Sequence, residues 1–186
     1  MSDQVREPAA LYPLPRATTP HTWEEYARWE GRWEIIHGVA HDMTPSPFLP
    51  HSSPVVAFIS FLAPALRKTG KWTVVQEIDW IVDPHTTIRP DLMVARRPVG
   101  EQWLTRAPDL VLEVLSPSTA QKDRVLKKAV CQEAGVRYYI LADPATRTVE
   151  ACEWQANSYQ PLSSGELLAL QFDDITVTIP LAELWE

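Results

Sequence analysis

Hydrophobic residues in the middle of the chain alternate between helical and strand-like spacing. Between residues 51 and 69, Val55, Ile59, Leu62 and Leu66 recur every three or four residues and Gly70 follows, which predicts a long packing helix. Segments rich in β-branched and aromatic residues predict strands at 72–82, 88–95, 109–115 and 137–142. A turn at 83–87 separates the first two strands, so we expect them to be antiparallel.

A second helix is expected between the last two of these strands. The segment Ser116-Pro117-Ser118-Thr119 breaks the strand and supplies a cap, and Gly135 ends the helix after about Ala134. Strand, helix and strand in this order are typical of the α/β class.

The two ends of the chain have weaker patterns. Residues 1–20 are rich in proline and small or charged residues, which predicts an extended or disordered arm. Thr22 and Glu25 have the spacing of a capping box, so a short helix should precede a first strand at 32–39. Apolar segments from residue 149 onward predict a small meander of hairpins. We therefore expect one domain covering residues 21–186.

The charge of the chain argues against a general nucleic-acid binder, because the net charge is −7. The balance is uneven, however, since residues 86–140 carry nine Lys and Arg against six Asp and Glu. Two cysteines fit neither a zinc site nor a disulfide framework, and no apolar segment is long enough to span a membrane or resembles a signal peptide. A soluble, cytoplasmic protein is the expectation.

Two carboxylates are placed where a site could form. Glu113 is the one charged residue in the apolar run 110–115, and burying an unpaired carboxylate is unfavourable. Asp91 follows Pro90, which favours a strand start or a bulge at a sheet edge, so both acids could meet at one margin of the sheet. Two converging carboxylates suit Mg²⁺, which takes oxygen ligands. The alternative is a buried salt bridge of Glu113 with Arg89 or Lys127, with Asp91 capping a turn.

Lys127 is the lysine whose position on the second helix suits this site. At 100° per residue, it falls within the apolar arc that contains Val130, Cys131 and Ala134, whereas Lys128 falls on the opposite side. A lysine on a core-facing arc often extends its ammonium to solvent, which is the alternative here. Because this helix follows the strand that bears Glu113, the ammonium could reach the same margin.

Several motifs together resemble one known family. They are Trp33-Glu34-Ile35-Ile36-His37-Gly38, Arg89-Pro90-Asp91, Leu112-Glu113-Val114-Leu115-Ser116-Pro117-Ser118-Thr119, Asp123 with Lys127, and Gly135-Val136-Arg137-Tyr138-Tyr139-Ile140-Leu141-Ala142-Asp143-Pro144. This pattern, spread over residues 22–186, is similar to the Uma-type family of restriction-endonuclease-like proteins within the PD-(D/E)XK nuclease superfamily.

The resemblance implies an α/β fold with a restriction-endonuclease-like core, a mixed β-sheet flanked by helices, with the C-terminal meander as an addition. It also implies a DNA endonuclease in which Asp91 and Glu113 hold Mg²⁺, with Mn²⁺ as a substitute, while Lys127 orients or activates water. Leu115 stands where the superfamily has its lysine, and Cys131 stands where relatives usually carry an aromatic residue.

Other candidates and alternatives remain open at this point. Glu34 is a further candidate catalytic acid, with an ion pair to an arginine as the alternative. The five histidines lack ligand spacing and are expected at the surface or at helix starts, and most of the eight tryptophans are expected in the core or an interface. Trp103 and Trp185 are the expected exposed ones. A homodimer would suit cutting of both DNA strands. The rival interpretation is a non-catalytic DNA-binding or protein-interaction dimer that retains the nuclease fold.

Overall fold

The computed structural model describes residues 19–43, 49–162 and 165–186. Nearly all of the predicted N-terminal arm, residues 1–20, lies outside these ranges. The helices are α1 (Trp23–Tyr26), α2 (Leu49–Arg67) and α3 (Lys128–Glu133), with a π-helical segment at Lys122–Lys127 and a final 3₁₀ helix at Leu181–Trp185. The strands are β1 (Trp33–Ile36), β2 (Val39–Asp42), β3 (Trp72–Val75), β4 (Trp80–Asp83), β5 (Thr86–Ile88), β6 (Leu92–Arg96), β7 (Leu110–Val114), β8 (Tyr138–Asp143), β9 (Thr148–Gln155), β10 (Ser158–Pro161), β11 (Leu167–Phe172) and β12 (Ile175–Pro180).

A six-stranded mixed sheet forms the centre of the fold. Its strand order is β10-β9-β8-β7-β6-β3, with β7 and β8 parallel and the other neighbours antiparallel. The parallel pair is joined through α3, as the strand–helix–strand pattern predicts. The mixed α/β architecture expected from the sequence is confirmed.

The two faces of this sheet bury different sets of residues. On one face, Leu110, Leu112 and Val114 of β7 pack in a cluster with α2, β11 and β12. On the other face, Val111 and Leu115 pack in a cluster with Val130 and Cys131 of α3. Because side chains alternate along a strand, Glu113 lies on the face that α3 covers.

Two strands predicted as continuous are each divided between sheets. The predicted strand 72–82 is β3 in the large sheet and β4 in a second sheet of order β2-β1-β5-β4, and the predicted strand 88–95 is likewise β5 and β6. The turn at 83–87 does join antiparallel strands, β4 and β5. The division occurs at Glu77, whose φ is +50°, and at Pro90, which cannot donate to a ladder.

The predicted first strand at 32–39 is also interrupted. It turns at His37 and Gly38, whose φ values are +51° and +78°, and returns as β2. Positive φ at both turn residues is the geometry of a two-residue hairpin. The predicted capping box of α1 is confirmed, since the Thr22 side chain accepts from Glu25 N and the Glu25 carboxylate accepts from Thr22 N.

The C-terminal strands do not form a single meander. β9 and β10 extend the large sheet, whereas β11 and β12 form a separate hairpin. The 3₁₀ helix buries Leu184 completely, and Trp185 packs half-buried against the same cluster. The expectation of an exposed Trp185 is therefore wrong, while Trp103 is exposed as expected.

None of the helices in the described ranges has both the length and the apolar character needed to cross a bilayer.

Candidate metal-dependent site

Asp91 directly precedes β6 and lies opposite Glu113 of the neighbouring strand β7. Leu92 pairs with Leu112 in the antiparallel register of β6 and β7, so the next position outward places Asp91 beside Glu113. Side chains that face each other in this way have Cβ atoms about 5 Å apart. The Asp91 carboxylate also accepts a hydrogen bond from Val114 N at 2.7 Å. β6 is an internal strand and not a sheet edge, so Pro90 marks the strand start that was the other expectation.

Lys127 lies among three carboxylates. Its Nζ is 2.8 Å from Glu113 Oε1, 2.7 Å from Glu34 Oε1 and 3.6 Å from Asp123 Oδ1. The side chain is buried, whereas Lys128 is half-buried, as the helical phase predicts. Burial alone would lower the pKa of Lys127, but the charges of Glu113 and Glu34 outweigh it and raise the pKa well above its ordinary value.

Glu34 joins the site through two lysines. Besides Lys127, it accepts a hydrogen bond from Lys122 Nζ at 2.6 Å and one from Arg89 N at 2.9 Å. Burial would raise the pKa of Glu34, but Lys127 and Lys122 together lower it. The alternative of an arginine ion pair is wrong, because the Arg89 guanidinium pairs with Asp79 at 2.8 Å.

The π-helical segment explains how two lysines reach one carboxylate. Residues five apart lie closer in direction in a π-helix, which has i→i+5 hydrogen bonds, than in an α-helix, where they differ by about 140°. Lys122 and Lys127 are five apart, and they contact the two different oxygens of Glu34. The π turn therefore directs both ammonium groups at the site.

Three residues of this site were not predicted as members of it. Lys122 is one, because α-helical phase turns it away from Lys127. Asp123 is buried four residues before Lys127, a spacing that could have identified it. His51, expected at a helix start, lies in the first turn of α2 with Nε2 3.4 Å from Asp91 Oδ2. No sequence signal links residues so far apart.

The site opens into a cavity of about 320 Å³, which we call the acidic cavity. Its lining combines the two opposed acids with residues from α2, the loop after β7 and the π-helical segment: His51, Asp91, Glu113, Ser116, Thr119, Lys122, Asp123 and Lys127. Arg32 and Arg89 also line it, but they pair with Glu77 at 3.0 Å and with Asp79. A substrate entering this space meets carboxylates and ammonium groups together.

The acidic cavity carries an excess of negative charge. Glu34, Glu113 and Asp123 contact Lys127, and Glu34 also contacts Lys122. Asp91 contacts His51, so four carboxylates meet two ammonium groups and one imidazole. Burial raises the pKa of Glu113 well above its ordinary value despite Lys127, with Asp123, Asp91 and Glu34 adding to the rise. Burial also raises the pKa of Asp123. For His51, burial would lower the pKa, but the hydrogen bond and charge of Asp91 raise it.

These residues fit a hard divalent cation. The donors of Asp91 and Glu113 are carboxylate oxygens, the excess charge is negative, and the buried Asp123 Oδ1 has no hydrogen-bond partner within the described residues. Among those residues no three His, Cys, Asp or Glu side chains are arranged to hold a metal. Mg²⁺ does not require such a set, because it usually binds one or two carboxylates and completes its shell with water and substrate phosphates.

A comparison with solved structures supports the fold. A crystal structure described as a putative nuclease belonging to DUF820, from Anabaena variabilis ATCC 29413, superposes with a TM-score of 0.72. The two sequences are 19% identical, and the match covers 89% of this chain and 98% of the other. At this identity the likeness shows a shared fold. No curated protein matches the sequence.

A family model described as "Uma2: Putative restriction endonuclease" matches residues 23–180. The match contains Glu34, Asp91, Glu113 and Lys127, and it extends to the end of β12. It agrees with the resemblance that the motifs indicated. This chain belongs to the Uma2 family.

Proposed function

We propose that the protein is a metal-dependent endonuclease that hydrolyses phosphodiester bonds in DNA. The observation that carries this proposal is the pair of opposed carboxylates, Asp91 and Glu113, beside the buried ammonium of Lys127 in a cavity with excess negative charge. Family membership supports a nuclease activity.

Asp91 and Glu113 would hold the cation, with Mg²⁺ as the physiological ion and Mn²⁺ as a substitute. Bound there, the cation would polarise the scissile phosphate and lower the pKa of a water molecule. Val114 N fixes the orientation of the Asp91 carboxylate, and Lys127 does the same for Glu113. These contacts hold the ligands ready before the cation arrives.

Lys127 would stabilise negative charge that develops on the phosphate. Its ammonium remains protonated, because the carboxylates around it raise its pKa. Glu34 serves this group as a positioning residue, since it contacts Lys127 and is itself held by Lys122 and Arg89 N. A preorganised charge of this kind typically contributes about a hundredfold to a thousandfold in rate.

The rival function is a non-catalytic DNA-binding or protein-interaction dimer. The observation in its favour is the ion pair between Lys127 and Glu113. This is the buried salt bridge that is expected if Glu113 holds no metal. The Asp91 carboxylate favours the endonuclease over this rival, because among the described residues it contacts Val114 N and His51 and forms no ion pair with a lysine or arginine.

The proposal is tested by nicking of supercoiled plasmid DNA with Mg²⁺ or Mn²⁺. We expect the wild type to nick, and Asp91→Ala and Lys127→Ala to lose at least about a hundredfold in rate. Lys128→Ala is the matched control, because Lys128 neighbours Lys127 but lies on the other side of the helix. Thermal unfolding of each variant establishes that it is folded. Equal rates for wild type, Asp91→Ala and Lys127→Ala would remove the proposal and leave the rival.

A further inference from the structure

A second cavity, which we call the aromatic cavity, lies beside the acidic cavity. Five aromatic side chains line it: Trp23, Tyr26, Trp29, Trp33 and Trp103. Its volume is about 300 Å³, at the lower end of the range for small-molecule sites. This cavity has no part in the metal site described above.

The aromatic rings form a continuous chain along one wall. Ring centroids are 5.2 Å apart for Trp23 and Trp103, 5.4 Å for Trp23 and Tyr26, 5.8 Å for Tyr26 and Trp29, and 6.0 Å for Trp29 and Trp33. Three of these four contacts are edge to face, and the contact of Trp23 with Tyr26 is tilted. Trp103 is 38% exposed at the mouth. Exposed indole in a concave, ordered cluster is typical of a binding site.

The acidic cavity and the aromatic cavity are adjacent and share a lining residue. Arg89 lines both of them. Arg32 lines the acidic cavity, while its neighbours Gly31 and Trp33 line the aromatic cavity. A strand whose phosphate occupied the acidic cavity would therefore have its nearest bases within reach of the tryptophans.

The polar groups of the aromatic cavity fit a neutral aromatic ligand. The carboxylate in its lining belongs to Asp79, which accepts hydrogen bonds from Arg89 Nε at 2.8 Å and from the Tyr26 hydroxyl at 2.9 Å. A carboxylate engaged in this way does not provide the free negative charge that favours a cationic ligand. Gln102, also in the lining, offers an amide that can pair with the polar edge of a base.

We propose that the aromatic cavity binds an unstacked nucleobase of the strand whose phosphate lies in the acidic cavity. This inference rests on the proposed nuclease function. Base stacking on aromatic side chains suits any nucleobase, because each has a π-face. The cavity would hold the strand in place and favour regions of DNA where a base is already unpaired.

The test compares two short single-stranded probes of equal length, an oligothymidylate and the corresponding abasic oligonucleotide, in Ca²⁺ by fluorescence anisotropy. We expect Trp103→Ala to weaken binding of the oligothymidylate about 5- to 100-fold and to leave binding of the abasic probe unchanged. Trp103→Phe should restore most of the affinity. Trp154→Ala is the control, because Trp154 is half-buried on β9 and contacts Tyr159.

Unchanged oligothymidylate binding in Trp103→Ala would overturn the inference, as would equal losses with both probes, which would indicate a structural role. Failure of the wild type to bind either probe would overturn it as well. A dimer that dissociates in Trp103→Ala while probe binding is unchanged would make the cavity a protein contact. Binding is measured separately from plasmid nicking. Base-dependent binding without nicking would thus remove the nuclease and keep the nucleobase site.

Discussion

Glu34 and Glu113 are both buried and both contact Lys127, yet their pKa values are displaced in opposite directions. Glu34 shares two lysines, which lower its pKa, whereas burial and three nearby carboxylates raise that of Glu113. Ionised Glu34 therefore stabilises the folded chain at pH values above its ordinary pKa. Glu113 reduces the stability of the folded chain as pH rises through its raised pKa, because the folded state must release a proton from a buried group.

The opposite shifts predict opposite effects of neutral replacements in the metal-free protein. At pH 8, Glu113→Gln should increase the free energy of unfolding, because the variant no longer buries a carboxylate whose pKa is raised in the folded state. The gain should shrink as pH falls toward 4.5, the ordinary value of this carboxyl. Urea unfolding with a chelator, at several pH values, measures both.

Glu34→Gln is the matched control and should decrease the free energy of unfolding by about 3 kcal/mol, because it removes the carboxylate that Lys122 contacts and one of the three around buried Lys127. That loss should diminish at low pH, where Glu34 of the wild type is protonated too. A decrease for both variants at pH 8 would contradict the assigned direction for Glu113. Since Glu113 is a proposed ligand, a stabilised Glu113→Gln that no longer nicks DNA would fit a trade of stability for function.

At the scale of elements, the π-helical segment decides which side chains enter the site. α-Helical periodicity predicted Lys127 correctly, because it lies where the π turn gives way to α3. The same periodicity could not predict Lys122, since the extra residue of a π turn changes the phase of everything before it. Strand patterns located β7 and β8 well but joined β3 to β4, because residues 72–82 are apolar on both sides of the break. Periodicity identifies elements and cannot show which sheet a strand enters.

Removing the extra residue of the π turn should keep the two lysines on one side of the helix. Val125 lies within the segment and is 56% exposed, so its deletion removes little core packing. The deletion places Lys122 four residues before Lys127, and in an α-helix residues four apart differ by only about 40°, so Lys122 should still reach Glu34. We expect the deletion variant to nick at a rate close to that of Val125→Ala, which keeps the chain length, with helix content by circular dichroism preserved. A large loss of nicking in the deletion variant alone would show that the π turn itself is required.

The turn between β1 and β2 is a second element that positions the site, since β1 carries Glu34. Gly38 has φ +78°, and a Cβ there would lie 2.3 Å from Pro20 Cβ. Gly70 has a similar φ of +67° with no atom within 4 Å of such a Cβ. Gly70→Ala should thus destabilise by about 1 to 2 kcal/mol from backbone strain alone. Gly38→Ala should destabilise by clearly more and reduce nicking.

Urea unfolding of both variants measures this difference. Their backbone strain is comparable, so the difference reports the contact between Gly38 and Pro20. Equal losses in the free energy of unfolding would mean that Pro20 moves away from the added Cβ without a measurable energetic penalty.

At the scale of the whole molecule, the negative net charge opposes the proposed binding of DNA, and a bound cation would remove part of this opposition. The chain carries a net charge of −7, and at the site four carboxylates meet two ammonium groups. Both features repel a phosphate backbone. A divalent cation at Asp91 and Glu113 would offset this local excess of negative charge, so the proposed cofactor would serve attachment of the substrate as well as chemistry.

DNA binding should therefore depend on a divalent cation. We expect Ca²⁺ at millimolar concentration to increase the affinity of the wild type for a labelled duplex at least about tenfold over chelator, by fluorescence anisotropy at constant ionic strength. Asp91→Asn should lose most of this increase, because one ligand is missing. Lys128→Gln should keep it while weakening binding slightly in both conditions. Equal affinity of the wild type with and without the cation would contradict the proposal that the cation offsets the negative charge of the site.

Leu115 stands where a lysine is expected two residues after Glu113, and it is 6% exposed within the cluster on the α3 face. The ammonium instead arrives from the helical side, on Lys127. Leu115 therefore makes a hydrophobic contact directly after β7. The ammonium lies on the π-helical segment, an element separate from those that carry Asp91 and Glu113. A search for nucleases by a short motif with lysine two residues after the glutamate would not find this chain. A search by the separation between an ammonium and two opposed carboxylates would find it.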